Sequence, residues 1–143
     1  LVMNILAIKS TGDTTSMSVI LKNEINTYSA KHERKDRPNW DIFLENIGLN
    51  KIFNLNEIDL FVYADSQNSY TATRTVASYL KGVSVALNKP LMVVKDTSTD
   101  DTNADSIVKI AKEQLKKESL SMEDFDPGDA NPFYPKDPGF KKK

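Results

Sequence analysis

The sequence predicts an α/β fold with a mixed five-stranded sheet, in the element order β-β-β-α-β-α-β-α. Three apolar segments of strand length follow one another closely near the start of the chain, which favours an antiparallel meander. Two further strand segments then alternate with amphipathic segments, as parallel strands joined by right-handed helical crossovers do. The length of 143 residues suits one domain, and 39% hydrophobic residues can supply its core.

The first three strands are expected over residues 3–8, 17–21 and 25–29, and the first of them is a short, mostly apolar run followed by polar turn residues. Residues 9–13 are expected to form a turn, because Gly12 and Asp13 favour one. Residues 22–24 leave room only for a tight connection. The second and third strands should therefore pair as an antiparallel hairpin.

The first helix is expected between Asn39, a suitable N-cap after Pro38, and Gly48, a suitable end. Its apolar residues recur at i, i+3, i+4 and i+7 and so share one face: Trp40, Phe43, Leu44 and Ile47. Such a face belongs more often to a core than to an interface. The alternative is that the first two helices pack on a partner through it.

The second half of the chain continues the alternation. A buried strand is expected over residues 60–64, a helix over 71–87 and a fifth strand over 91–94. The inward face of that helix consists of Val76, Leu80, Val83 and Leu87, and a last helix is marked by Ile107, Ile110, Ala111 and Leu115. We expect the folded domain to span residues 3–120, and residues 121–143 to form a proline-rich tail.

The composition excludes several classes of function. The chain has no cysteine and one histidine, so a disulfide scaffold, a thiolate nucleophile and a Cys- or His-rich metal site are not expected. The net charge of -1 lacks the basic excess of a nucleic-acid-binding domain. No apolar run has the length of a membrane span, so a cytoplasmic protein is expected. His32 is expected to be an exposed loop residue.

This element order resembles the ribonuclease-H-like core shared by actin, sugar kinases and the Hsp70 ATPase. Within that group the chain resembles the TsaB (YeaZ) family. Chains of that family open with a strand that reads I-L-A-I-D-T-S. The corresponding residues here are Ile5-Leu6-Ala7-Ile8-Lys9-Ser10-Thr11.

A second resemblance follows the fourth strand, where the family carries G-P-G-S-F-T-G-x-R. Ser69, Thr71 and Arg74 match this motif, although its glycines are lost. Lys81 and Gly82 also fit the family's helix, and residues 132–136 resemble its closing P-x-Y-L-R. The family has a second subdomain after the fifth strand, and the short segment 97–105 stands in its place here.

The resemblance implies a non-catalytic subunit that binds TsaD and supports the threonylcarbamoyladenosine modification of transfer RNA. An ATPase, TsaE, docks on that pair in the family, and a weak homodimer through the same helices is a secondary expectation. Cofactor and metal would then belong to the partners. The interface candidates are the face of the first helix, Trp40, Phe43, Leu44 and Ile47, together with Tyr79 on the second.

Two alternatives stay open. The first is an ATP-dependent, kinase-like enzyme. Against it, Lys9 stands where active relatives hold an acidic residue, and a lysine cannot bind Mg²⁺, which requires oxygen ligands. The loop after the fourth strand also lacks the glycines that let backbone N–H groups approach a phosphate. The second is a module of the same fold that serves another partner, in which Ser69 and Thr71 only cap a helix.

Overall fold

The computed structural model describes residues 3–11, 13–22, 24–33, 38–66, 70–96, 104, 107–109 and 111. Within these ranges the strands are β1 (Ile5–Ser10), β2 (Thr14–Leu21), β3 (Glu24–Lys31), β4 (Leu60–Ser66) and β5 (Leu91–Asp96). The α helices are α1 (Trp40–Ile47) and α2 (Tyr70–Leu87), and a short 3-10 helix spans Leu55–Glu57. Ala104, residues 107–109 and Ala111 are also helical.

The five strands form one sheet in the order β3-β2-β1-β4-β5. β2 is antiparallel to both of its neighbours, whereas β1, β4 and β5 are mutually parallel. The β2–β3 connection is a two-residue turn, since Leu21 pairs with Glu24, and Lys22 adopts a positive φ of 49° there. The predicted mixed five-stranded sheet and the predicted hairpin are confirmed.

β1 lies at the centre of the sheet, and all six of its residues are buried. Such a strand reads as a continuous apolar run because both of its faces are covered. Leu6 and Ile8 join one core cluster, and Ile5 and Ala7 join a second cluster on the opposite face.

Helices cover both faces. α1 packs on β2 and β3, and α2 packs mainly on β4 and β1. On the other face, Ile107, Val108 and Ala111 pack into the second cluster. The last helix is thus confirmed at Ile107 and Ala111, while Ile110 and Leu115 lie outside the described residues.

Several predicted strand boundaries are wrong. β2 begins at Thr14 rather than at residue 17, β3 spans Glu24–Lys31 rather than 25–29, and β5 continues to Asp96. Lys9 and Ser10 belong to β1 rather than to a turn, because Lys9 pairs with Ser16 and Ser10 with Thr15 on β2. β4 likewise continues through Asp65 to Ser66, alongside β5. Polar residues in both places continue a ladder that hydrophobicity alone does not reveal. The predicted tail, residues 121–143, lies outside the described residues.

None of the helices in the described part of the chain is both long enough and apolar enough to cross a bilayer.

Candidate functional site

The two helices on one face of the sheet are joined by an aromatic stack. Trp40, the first residue of α1, lies on Tyr79 of α2, with ring centroids 4.6 Å apart and planes inclined by 13°. Both side chains are partly buried against the core cluster below them. Trp40 and Tyr79, both predicted as interface residues, are thus already packed on each other within the chain.

The rest of the predicted α1 face is core. Phe43, Leu44 and Ile47 are 4%, 4% and 1% exposed and pack against the sheet. Phe43 also meets the ring of Tyr28 on β3 edge-on, at 5.2 Å between centroids. These three residues present no surface to a partner, because the chain's own sheet covers them. The core reading of the α1 pattern is the one that the structure supports.

The ends of α1 are fixed by the residues that the sequence indicates. The Asn39 side chain accepts a hydrogen bond from the Asp41 backbone N–H at 3.1 Å. Gly48 ends the helix in the left-handed region, at a φ of 111°. Both predictions are confirmed, and they fix where Trp40 enters the stack with Tyr79.

α2 carries the residues that match the family motif, but they lie on its outer side. Thr71, Arg74 and Gly82 are exposed and Lys81 is partly exposed. Thr71 is within α2 rather than before it, and its backbone carbonyl accepts a hydrogen bond from the Thr75 hydroxyl at 3.1 Å. Ser69, the candidate cap, lies outside the described residues.

The outer side of α2 forms a stripe of small side chains. Its members recur at steps of four and three residues, which places them on one side of a helix: Thr71, Thr75, Ser78, Gly82 and Val85. Val85 is 45% exposed, and Ile42 on α1 is 47% exposed. A Cβ added at Gly82 would have no contact within 4 Å beyond its own helix backbone and its chain neighbours. We call this set of five residues the α2 stripe.

The carboxyl end of β1 holds a buried cation. Lys9 is 2% exposed and lies beside Ser16 of β2 in the ladder. The Ser16 hydroxyl accepts hydrogen bonds from the Ser29 hydroxyl at 2.8 Å and from the Ala104 backbone N–H at 2.9 Å. In the part of the chain that the structure describes, no three His, Cys, Asp or Glu side chains are grouped so as to hold a metal ion.

A chain of hydroxyl groups leads from β1 to the histidine. The Ser10 and Thr15 hydroxyl oxygens lie 2.9 Å apart, and the Thr15 hydroxyl lies 2.7 Å from Nε2 of His32. Ser10 and Thr15 are buried, and His32 is partly buried. His32 lies outside the strands, as expected of a loop residue, but it is partly buried rather than exposed. Only the pairing of β2 with β3 brings it to Thr15, which lies 17 residues before it.

The surroundings of the Tyr79 phenol make it a weaker acid. Burial against α1 raises the pKa of Tyr79 above its ordinary value of 10.0, and the nearby Asp41 carboxylate raises it further. Tyr79 therefore stays protonated at neutral pH. The stack is a neutral, partly buried contact.

Comparisons with known proteins give a fold and no sequence family. No protein-family model matches the sequence, and no curated protein matches it. Among solved structures, the chain is similar to YeaZ from Pseudomonas aeruginosa, with a TM-score of 0.56 and 15% identity over 82% of this chain. An uncharacterized protein with similarity to peptidase YEAZ from Pseudomonas aeruginosa gives a TM-score of 0.56 and 14% identity.

The chain spans about half the length of these solved structures, 51% of the first and 50% of the second. At this level of identity the likeness defines the fold class: an α/β domain with the fold of one part of YeaZ.

Proposed function

We propose that this protein is a divergent, shortened member of the TsaB (YeaZ) family, and that it works as a non-catalytic subunit that binds a TsaD-like protein. In that complex it would support the threonylcarbamoyladenosine modification of transfer RNA. The observation that carries the proposal is the likeness to YeaZ over 82% of the chain. The motifs that resemble those of the family, from residues 5–11 to Arg74, also occur in the family's order. This order supports the proposal independently of the fold.

The strand arrangement supports assignment to the ribonuclease-H-like group. In the order β3-β2-β1-β4-β5, the second strand alone runs against the others, and a helix follows the third, fourth and fifth strands. A central first strand joins the meander to the parallel half. The sequence order predicts a mixed five-stranded sheet for that group, and this arrangement is consistent with it.

The chemistry at the carboxyl end of β1 argues for a binding role. Lys9 is buried under the opposite helical layer, where active relatives would present a carboxylate to a metal-bound nucleotide. A lysine there supplies none of the oxygen ligands that Mg²⁺ needs. We therefore propose that any ATP and metal ion in the complex are held by the partners, including a TsaE-like ATPase.

The α2 stripe is the surface that we propose for the partner. Small side chains allow another helix to approach closely, and the exposed Val85 and Ile42 would be covered by that contact. The buried residues of α1 hold that helix on the sheet, and the stack of Trp40 on Tyr79 joins it to α2. A weak homodimer through the same stripe would compete with the partner, because one surface cannot serve both.

The test is a mixing experiment followed by native mass spectrometry, with this chain and the TsaD protein of its own organism. We expect a one-to-one complex that is lost with Gly82→Arg. Gly82 is exposed, and a Cβ added there would have no contact within 4 Å beyond its own helix backbone and its chain neighbours, so we expect the fold to tolerate this substitution. An effect of at least about 2 kcal/mol, or about thirty-fold in Kd, is expected for a central interface position.

Two controls separate the surface from the fold. Gly82→Ala adds a single methyl group and should bind normally. Glu24→Arg places the same bulky cation on β3, at the sheet edge remote from β5, and should also bind normally. If no complex forms at tens of micromolar with both proteins folded, the proposed partner is wrong. A protein-binding role with another partner then becomes the leading reading.

A further inference from the structure

We propose that Ser10, Thr15 and His32 form a chain of hydrogen bonds, and that the charge of His32 sets the donor-to-acceptor direction of this chain. We call these three residues the hydroxyl relay. It crosses the sheet from β1 through β2 to the residue that follows β3. This inference is independent of the proposed partner, since it concerns a device inside the domain.

The tautomer of His32 follows from its contacts. Nδ1 lies 2.9 Å from the backbone carbonyl of Glu33, and a carbonyl oxygen only accepts hydrogen bonds. Nδ1 therefore carries a proton. In the neutral ring Nε2 is then bare and accepts, so the Thr15 hydroxyl, 2.7 Å away, donates to it.

The next link follows in the same way. Because the Thr15 proton points to His32, the Thr15 oxygen is left as the acceptor for the Ser10 hydroxyl, 2.9 Å away. The relay thus runs in one direction, from Ser10 to Thr15 to His32. Its inner members, Ser10 and Thr15, are 5% and 0% exposed, so water does not compete easily with these bonds.

Protonation of His32 reverses this direction. The imidazolium donates from both nitrogens, so Nε2–H must donate to Thr15. In the reversed relay that we propose, the Thr15 proton is no longer accepted by Nε2 and turns towards Ser10, and the Ser10 proton turns to another acceptor. A charge change at the partly buried ring is thereby converted into a change from donor to acceptor at Ser10 on β1, the central strand of the sheet.

Charged side chains lie on the segments that flank the ring. Among the described residues these are Asp13 before β2, Lys31 at the end of β3 and Glu33, and all three are exposed. The Asp13 backbone carbonyl accepts the His32 backbone N–H at 2.8 Å, which holds the residue in place in both charge states. Asp65, at the end of β4, is the carboxylate on the far side of Ser10.

The experiment is a two-bond ¹H–¹⁵N correlation spectrum of the whole protein. The chain has one histidine, so the spectrum contains a single ring system. Above the pH of its titration we expect the Nδ1–H tautomer, with a bare Nε2. The Nε2–H tautomer would overturn the proposal.

The coupling to β1 is tested by titration. We expect the Ser10 amide and Cβ shifts to follow His32 protonation in the wild type and in Thr15→Ser, which keeps the hydroxyl. In Thr15→Val, which has nearly the same shape, His32 should still titrate while the response of Ser10 is lost. A Ser10 response that persists in Thr15→Val would overturn the relay. If Thr15→Val does not fold, the wild-type tautomer and the Ser10 response of Thr15→Ser still decide the question.

Discussion

The indole ring of Trp40 lies flat on the phenol ring of Tyr79, at 4.6 Å between centroids, and this contact joins α1 to α2. The two residues are 39 positions apart in the printed sequence, and each is partly buried against the same core cluster. Stacked aromatic rings contribute more than the area that they bury. The stack is therefore expected to couple the two helices energetically.

A double-mutant cycle measures this coupling. We expect Trp40→Ala, Tyr79→Ala and the double variant to give a coupling free energy of about 0.5–1.5 kcal/mol, as for other aromatic pairs. Urea denaturation gives the free energies of unfolding of the wild type and the three variants. They are compared at the same dependence on urea concentration for all four proteins. A parallel cycle of Trp40→Ala with Val85→Ala, an exposed residue with no ring, should show no coupling beyond error. Equal values in the two cycles would contradict a specific stack.

The raised pKa of Tyr79 predicts a loss of stability at high pH. The folded protein holds the phenol proton more tightly than the unfolded chain, whose tyrosine titrates near 10.0. The stabilising contribution is therefore complete below pH 10 and is lost as the pH rises through the folded-state pKa. We therefore expect the free energy of unfolding of the wild type to fall, relative to that of Tyr79→Phe, as the pH rises above 10.0. Urea denaturation at a series of pH values measures this difference.

Asp41 provides the internal control for that experiment. Its carboxylate is the second cause of the raised pKa, after burial, so Asp41→Asn should lower the Tyr79 pKa without returning it to the ordinary value. The pKa is read from the absorbance of tyrosinate, by difference against Tyr79→Phe. An unchanged pKa in Asp41→Asn would show that burial is the whole cause.

The N-cap of α1 predicts a graded series at Asn39. Its side chain accepts the Asp41 backbone N–H, and Asn39→Ala leaves that donor without its partner. We expect a loss of about 1 kcal/mol in the free energy of unfolding for Asn39→Ala. Asn39→Asp retains an acceptor and should be nearly neutral. If both substitutions lower stability equally, the side-chain oxygen is not what fixes the start of α1.

The sequence predicted those parts of the fold that depend on local patterns. The face of α1 and its two end residues follow from spacing and capping, and the inner strands follow from apolar runs. The carboxyl ends of β1 and β4 do not follow from local patterns, because Lys9, Ser10 and Asp65 are polar residues that pair with the neighbouring strand. A propensity for turns was overridden there by pairing.

The candidate site was less predictable because it depends on contacts between distant residues. The sequence pattern places Trp40 on a face that is either core or interface, and it makes Tyr79 an interface candidate. Nothing local shows that the two rings meet. His32 was assigned to the surface for the same reason, since the strand register alone brings it to Thr15. The cluster of hydroxyl residues in the first half of β2, at positions 14–16 and 18, was the available signal, because buried hydroxyl groups require partners.

The two glycines that the structure describes provide the last prediction, since the same substitution should have opposite effects at the two positions. At Gly48 the φ of 111° is strained for any residue with a side chain, and a Cβ would lie 2.8 Å from Cδ1 of Ile52. Gly48→Ala is therefore expected to lower the free energy of unfolding by about 1 kcal/mol or more. Gly82 has open space around it within α2, so Gly82→Ala should raise stability by roughly 0.5–1 kcal/mol through the helix propensity of alanine. Urea denaturation of the two variants beside the wild type measures both changes. Two shifts of the same sign would mean that one of these backbone conformations differs in solution.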